Sequence, residues 1–249
     1  MSSSSVPALA ERPRVVAIVV AGFIGFLGGQ ILAELLDALG VALTHYPGGL
    51  SALAKVANPP WWANALGLLG IWSGLSAAIV FAHREGGLRA WPGQWRLRTS
   101  DLSYVVLGVA CQYLIDAAYY PFHLKSLSKP ENHLFAASHG AGFILIGLLT
   151  VFVAPIFEEW FFRGVLFRAL DEGLVRATRR SALFIAIALS AALFALAHAE
   201  ALEFAGLFAL GIVLAVVAYR TKRLMPSYLT HAAFNATAFA MVIHLRSGH

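Results

Sequence analysis

Long apolar runs constrain the fold of this 249-residue chain more than any other feature of its sequence. An α-helix of about 20 apolar residues is long enough to cross the roughly 30 Å hydrocarbon core of a bilayer. Seven runs close to that length or longer follow one another, at residues 15–40, 62–81, 102–122, 138–170, 181–199, 202–219 and 227–245. We therefore predict an all-α fold, a polytopic transmembrane bundle of seven to eight helices. The eighth helix arises if the long fourth run breaks at Pro155.

The composition excludes both a water-soluble globular fold and a disordered chain. Apolar residues make up 59% of the sequence and charged residues 12%, whereas a soluble domain has about 45–50% and about 25%. Such a chain has too few polar groups to cover a surface in water or to stay solvated without folding. Its single cysteine, Cys111, also excludes a disulfide framework and a cysteine-rich metal site.

The placement of the basic residues predicts the orientation in the membrane. With a cytoplasmic N-terminus, 14 of the 18 Lys and Arg residues fall on cytoplasmic segments and 4 on outer segments. Positive charge is enriched on the cytoplasmic side of membrane proteins, so we expect a multi-pass protein of the cell membrane with its N-terminus inside. Because the charge is spread over four separate loops, we expect membrane lipids, and no nucleic acid, as partners.

Three groups of polar residues interrupt the apolar runs of the C-terminal half. Ionisable side chains cost several kcal/mol in hydrocarbon and are functional candidates by default. The groups are Glu158, Glu159 and Arg163 in the fourth run, Phe194 and His198 in the fifth, and His231 and Asn235 in the last. Each group lies on a separate predicted helix, so tertiary packing is needed to bring them together.

The spacing within each group predicts which side chains share a helix face. Glu159 and Arg163 are four residues apart, so they share a helix face. The glutamate comes first, which is the better order for an ion pair. Glu158 is turned by about 100° from its neighbour and is left to face elsewhere. His231 and Asn235 share a face in the same way. A free carboxylate with imidazole and amide groups can activate a water molecule and bind an oxyanion. Glu158 and the two histidines are also ligand types that zinc takes.

Each of these groups, taken alone, also has a structural interpretation. A Glu–Arg pair commonly braces a helix, a single histidine commonly packs with one hydrogen bond, and an asparagine commonly joins two membrane helices. Three further acidic residues of the apolar runs, Glu34, Asp37 and Asp116, have no motif around them. We leave these three as structural or of unknown role.

The three groups in their order resemble the signature of the CPBP family, which contains CAAX-prenyl-protease-like and bacteriocin-processing or immunity (Abi) membrane proteins. Its motifs are EExxxR, then FxxxH, then HxxxN on successive helices, and here they begin at Glu158, Phe194 and His231. The resemblance covers about residues 140–240. It implies a domain layout of a cytoplasmic tail (1–14), variable N-terminal membrane helices (15–137), a protease core (138–245) and a C-terminal tail (246–249).

The resemblance implies an intramembrane endopeptidase that hydrolyses a peptide bond in a membrane-associated protein or peptide, CAAX-like or bacteriocin-like. Glu158 would activate the water with help from His198. His231 and Asn235 would complete the site and stabilise the oxyanion. The remaining motif residues, Glu159, Arg163 and Phe194, would support these groups. A zinc-dependent reaction with Glu158, His198 and His231 as ligands and a glutamate-dependent reaction without metal both remain open, so no cofactor is assigned and zinc is possible.

Two other classes of function remain as alternatives. One is a non-catalytic membrane immunity or scaffold protein of the same fold, in which the polar groups serve packing. The other is a small transporter that uses Glu158 as a proton relay, although the chain lacks the two similar halves typical of transporters. The sequence motifs of other intramembrane proteases, GxSG, GxGD and HExxH, are absent from the sequence.

Overall fold

A computed structural model describes residues 14–122, 135, 138–173 and 179–247, and their regular structure is all helical, with no strand among them. The predicted tail 1–14 lies outside the described residues except for Arg14, as do the last two residues of the predicted C-terminal tail. The helices are α1 (Val15–Thr44), α2 (Gly49–Leu53), α3 (Trp61–Arg84), α4 (Ser103–Tyr119), α5 (Gly140–Gly173), α6 (Arg179–Ala197), α7 (Phe204–Thr221) and α8 (Met225–Arg246).

Five of the described helices are long and apolar enough to cross a membrane, namely α1, α3, α4 with the short turn before it, α5 and α7. This confirms the prediction of an all-helical, multi-pass membrane bundle. The apolar part of α6, Ser181–Ala197, is shorter. Helix α8 has 22 residues but includes Ser227, Thr230, His231 and Asn235, which lower its mean hydropathy. Membrane crossing by α6 and α8 stays a prediction.

Helix α5 does not break at Pro155, so the predicted eighth crossing does not form. The helix runs for 34 residues through the proline. A proline ring inside a helix clashes with the carbonyl four residues earlier and removes a hydrogen bond. Here the turn before it, Leu149–Val153, is widened into a π-helix, and a second π-helical segment follows at Glu159–Phe167. The wider turns absorb the proline without a break, and the eighth helix of the bundle is the short α2.

Glycines bring the backbones of neighbouring helices into contact. A Cβ on Gly25 would lie 2.5 Å from the carbonyl oxygen of Gly74, and one on Gly29 would lie 2.8 Å from that of Gly70, so α1 and α3 touch along their length. A Cβ on Gly108 of α4 would meet the carbonyl oxygen of Thr230 in α8. Close approach at small residues is the usual way in which membrane helices associate.

The end of the bundle at the α7–α8 turn is held by a buried ion pair. Arg223 donates from both terminal nitrogens to the carboxylate of Asp101, at 2.7 and 2.8 Å, and also to the carbonyl oxygen of Arg96. This bidentate pair ties the turn between α7 and α8 to the start of α4. It sets the position from which α8 enters the bundle.

Candidate active site

A fully buried ion pair lies at the centre of the candidate site. Glu159 and Arg163 begin the second π-helical segment of α5, and both side chains are 0% exposed. Nη1 of Arg163 lies 3.0 Å from Oε1 of Glu159. Such a buried pair is tolerated only when further contacts satisfy both ions. Arg163 also donates to the carbonyl oxygen of Gly211 in α7 at 3.4 Å, and its guanidinium lies 4.3 Å from the centre of the Phe194 ring.

Helix α8 supplies two further partners to the Glu159 carboxylate. Nδ1 of His231 donates to Oε1 at 2.9 Å, and the hydroxyl of Ser227 donates to Oε2. Ser227 and His231 are four residues apart and therefore reach the same carboxylate from one face of α8. Because Nδ1 carries the proton that bonds to Glu159, Nε2 of a neutral His231 is left with its lone pair free.

Glu158 faces the free nitrogen of that imidazole. Its Oε2 lies 3.6 Å from Nε2 of His231, which is beyond hydrogen-bond distance. The side chain is 19% exposed, and among the described residues Oε2 has no hydrogen-bond partner although that atom is buried. Buried polar atoms are rarely left unpaired, so this oxygen is available to accept a hydrogen bond from a ligand. The two adjacent glutamates therefore have different environments, one enclosed and fully paired and the other open.

Phe194 connects the two histidines. Its ring is fully buried and lies 4.7 Å from the His198 ring and 5.5 Å from the His231 ring, in edge-to-face contact with each. His198 directly follows the last residue of α6, and its Nδ1 bonds to the carbonyl oxygen of Phe194 at 2.8 Å. That bond places the proton on Nδ1 and leaves Nε2 available. The Phe194 ring thus packs against both imidazoles and against the Arg163 guanidinium.

Asn235 bonds to the backbone of α5. Its amide nitrogen donates to the carbonyl oxygen of Thr150 at 3.0 Å, inside the first π-helical segment. The widened turn exposes backbone carbonyls that a regular helix would use itself. Asn235 therefore joins α8 to α5, and its predicted role at an oxyanion stays a prediction.

Residues 140–237 match one family of known proteins, described as Rce1-like, type II CAAX prenyl endopeptidase. This match supports the CPBP family of CAAX-protease-like membrane proteins for the segment that carries the motifs. The resemblance seen in the motifs is thereby confirmed. The matched segment contains all seven motif residues, and the predicted domain boundaries stay predictions. No curated protein and no solved structure matches the chain.

The donor atoms of this site are of the kind that zinc takes. Both histidines have Nδ1 held by an oxygen, which leaves Nε2 for a ligand, and such support is usual behind metal-ligating histidines. However, within 14–122, 135, 138–173 and 179–247 no group of three or more His, Cys, Asp or Glu side chains has an arrangement that could hold an ion. Zinc binding by Glu158, His198 and His231 stays a prediction.

The sequence analysis did not identify Ser227 as part of the site. The side chain is fully buried, and its hydroxyl reaches both Glu159 and, at 3.3 Å, the carbonyl oxygen of Leu214. A signal was available, because Ser227 precedes His231 by four residues and shares its face of α8. Serine is common in membrane helices as a link between neighbours, so the spacing by itself does not distinguish this role.

Proposed function

We propose that the protein is an intramembrane endopeptidase that hydrolyses a peptide bond in a membrane-associated protein or peptide. One observation carries the proposal. An open carboxylate, Glu158, has an unpartnered oxygen close to a free imidazole nitrogen of His231, and that imidazole is oriented by the fully buried Glu159. A base beside an oriented imidazole is the arrangement that water activation needs.

The reaction follows from these protonation states. A water on the open side of the pair donates one hydrogen to Glu158 and the other to Nε2 of His231. As the water oxygen attacks the scissile carbonyl carbon, its proton passes to Glu158, and the carbonyl oxygen becomes an oxyanion. When the C–N bond breaks, Glu158 returns this proton to the leaving amine nitrogen. General base and acid steps of this kind contribute about 10²–10⁴-fold to a rate.

The other site residues support these steps. Nε2 of His198, an acceptor like Nε2 of His231, helps to hold the water by sharing its second hydrogen with His231. Asn235 stabilises the oxyanion with its amide. Glu159 and Arg163 are positioning residues, because they act through His231 and the shape of α5. The described residues form no three-ligand metal site, so the steps above are assigned to side chains alone, and the chelator arm of the assay tests for zinc.

The substrate reaches the site from the bilayer, because five helices place the protein within lipid. We propose that it is membrane-anchored, and that the N-terminus lies in the cytoplasm of the cell as the basic residues predict. The family description names CAAX prenyl endopeptidases. CAAX-like tails and bacteriocin-like peptides are therefore the substrate classes to test first.

A reconstituted cleavage assay tests this function. The purified protein in liposomes is given a library of lipidated reporter peptides, with and without a chelator. Glu158→Gln and His198→Ala should each lower kcat/KM at least about 100-fold. Glu85→Gln, an exposed glutamate at the end of α3, is the matched control and should cleave at the wild-type rate.

Two readouts complete the assay. The single buried cysteine, Cys111, allows a thiol-reactive dye to report unfolding, so each variant can be shown to be folded. Loss of activity with chelator, restored by zinc, identifies the metal-dependent reaction. Full cleavage activity of both Glu158→Gln and His198→Ala would rule out the proposed catalytic residues, whereas no cleavage by the folded wild type would favour a non-catalytic protein of the same fold.

A further inference from the structure

A cavity lined by both polar and apolar side chains shares helix α8 and the loop after α6 with the candidate active site. It has a volume of about 70 Å³, is partly open, and lies between the second half of α4, the start of α7 and the middle of α8. One water needs about 10–15 Å³ of such space, so the cavity has room for several waters or the polar head of one side chain. The residues that decide its chemistry are Gln112, Asp116, Tyr119 and Glu203.

Two of the hydrogen-bond acceptors of this cavity lack donors among the described residues. Gln112 is only 3% exposed, and its Nε2 donates to both carboxylate oxygens of Asp116 at 3.0 Å. In the part of the chain that the structure describes, its Oε1 and the Oε1 of Glu203 are buried without a hydrogen-bond partner. The Tyr119 hydroxyl already accepts a bond from the backbone nitrogen of Gly206 at 2.6 Å. Two unpaired buried oxygens in one cavity indicate a missing donor.

The missing donor is positively charged. The described lining includes two carboxylates and no Lys, Arg or His. An ammonium group carries three donors and a guanidinium five, and neither has an acceptor, so each complements this lining. A bare calcium ion needs six to eight oxygen ligands, and among the described residues no three acidic groups form a metal site. The lining therefore favours an organic cation over a metal ion.

Glu203 adds to this preference. The residue precedes α7 and so lies outside the membrane-spanning segment. Burial, followed by the nearby charge of Glu200, raises the pKa of Glu203 to about 7. The carboxyl is thus costly to ionise while it has no partner. A cation in the cavity removes that cost.

Two elements of the cavity also carry the active site. Glu203 belongs to the loop that begins with His198, and Phe234, which lines the cavity, lies between His231 and Asn235 on α8. We propose that this cavity binds the protonated side chain of a Lys or Arg residue of the substrate, at a fixed distance from the peptide bond held at Glu158. The proposal rests on the proposed function and names a specificity that the family match does not include.

Peptide selectivity tests the cavity. Lipidated reporter peptides carry Lys, Arg, Gln or Glu at one position at a time, and kcat/KM is measured for each. At one position we expect Lys and Arg to be cleaved at least about tenfold better than Gln, mainly through KM, because a charge-assisted bond is gained. In the double variant Asp116→Asn, Glu203→Gln this ratio should fall to about one. The control Glu85→Gln should keep the wild-type ratio.

A binding measurement separates this proposal from the proposed function. Unfolding is followed by dye labelling of Cys111 in the presence of butylammonium or of butanol at equal concentration. The wild type should be stabilised by butylammonium only, and the double variant by neither. Cleavage with no basic preference at any position, or a preference that survives in the double variant, would overturn the cavity proposal and leave the protease intact. Absence of cleavage of every peptide would overturn both, whatever butylammonium does.

Discussion

Helices α1 and α3 form one region of the molecule, and helices α5, α6, α7 and α8 form another. The two regions are held together by different means. All buried residues of α1 and α3 are apolar or glycine, and the two backbones touch at Gly25, Gly29, Gly70 and Gly74. In the α5–α8 group the buried residues include a complete ion pair, a histidine and two hydroxyl side chains that bond across helices. Close approach of the two backbones holds α1 against α3, whereas hydrogen bonds and an ion pair between side chains link the helices α5 to α8.

The difference follows from the solvent. Lipid tails are as apolar as a leucine side chain, so burying leucine between two membrane helices gains little. Glycine contacts bring helices together without requiring any particular chemistry. Polar groups in hydrocarbon must be paired, and a paired group has few allowed positions. The polar bonds among α5 to α8 therefore fix the positions of the side chains, as water activation requires. The glycine contacts between α1 and α3 fix no side-chain geometry.

Breaking the buried ion pair should have the largest effect. Arg163→Met leaves the Glu159 carboxylate charged and without its cation, which costs about 3–5 kcal/mol in buried pairs. We expect a large fall in the thermal midpoint of unfolding, measured by dye labelling of Cys111. The double variant Glu159→Gln, Arg163→Met should recover much of that stability without recovering cleavage. Arg84→Met, an exposed arginine, is the matched control, and equal midpoints for the two single arginine variants would contradict this account.

Forcing α1 and α3 apart should lower stability less than Arg163→Met does, and it should leave kcat unchanged. A methyl group on Gly74 would collide with the backbone carbonyl of Gly25, whereas one on Gly67 meets nothing within 4 Å. Overpacking of this kind costs about 1–3 kcal/mol. Gly74→Ala should therefore lower the unfolding midpoint, and Gly67→Ala should not. If Gly74→Ala instead lowers kcat at temperatures where it is folded, the two regions are coupled and the comparison fails.

Removing one hydroxyl from the polar region should separate positioning from folding. Ser227→Ala takes a donor away from Glu159, while Ser190→Ala takes away a bond to the carbonyl oxygen of Phe162, and both serines are fully buried. Each change costs about 1–3 kcal/mol at most. We expect a similar small loss of stability in both, with a fall in kcat of about tenfold for Ser227→Ala only. Equal kcat values for the two variants would show that Ser227 serves packing.

Much of the fold could be predicted from the sequence, and the points on which the prediction and the structure differ have physical causes. The seven apolar runs correspond to the seven long helices, with ends displaced by a few residues. The break left open at Pro155 did not occur, because a π-helical turn accommodates the proline ring. Asp116 was left without a role because the cavity that it lines also takes Glu203, some 87 residues later, and forms only in the folded bundle.

The sequence by itself determined that the chain forms a bundle of membrane helices and which residues share a face within each helix. Those properties are local: an apolar run satisfies its own backbone as a helix, and residues four apart lie side by side. Only the tertiary structure decided which faces meet. The bonds from Ser227 and His231 to Glu159 span 68 and 72 residues of chain. They depend on helix register, which is set by close backbone approach at positions such as Gly108 and not by the spacing of any motif.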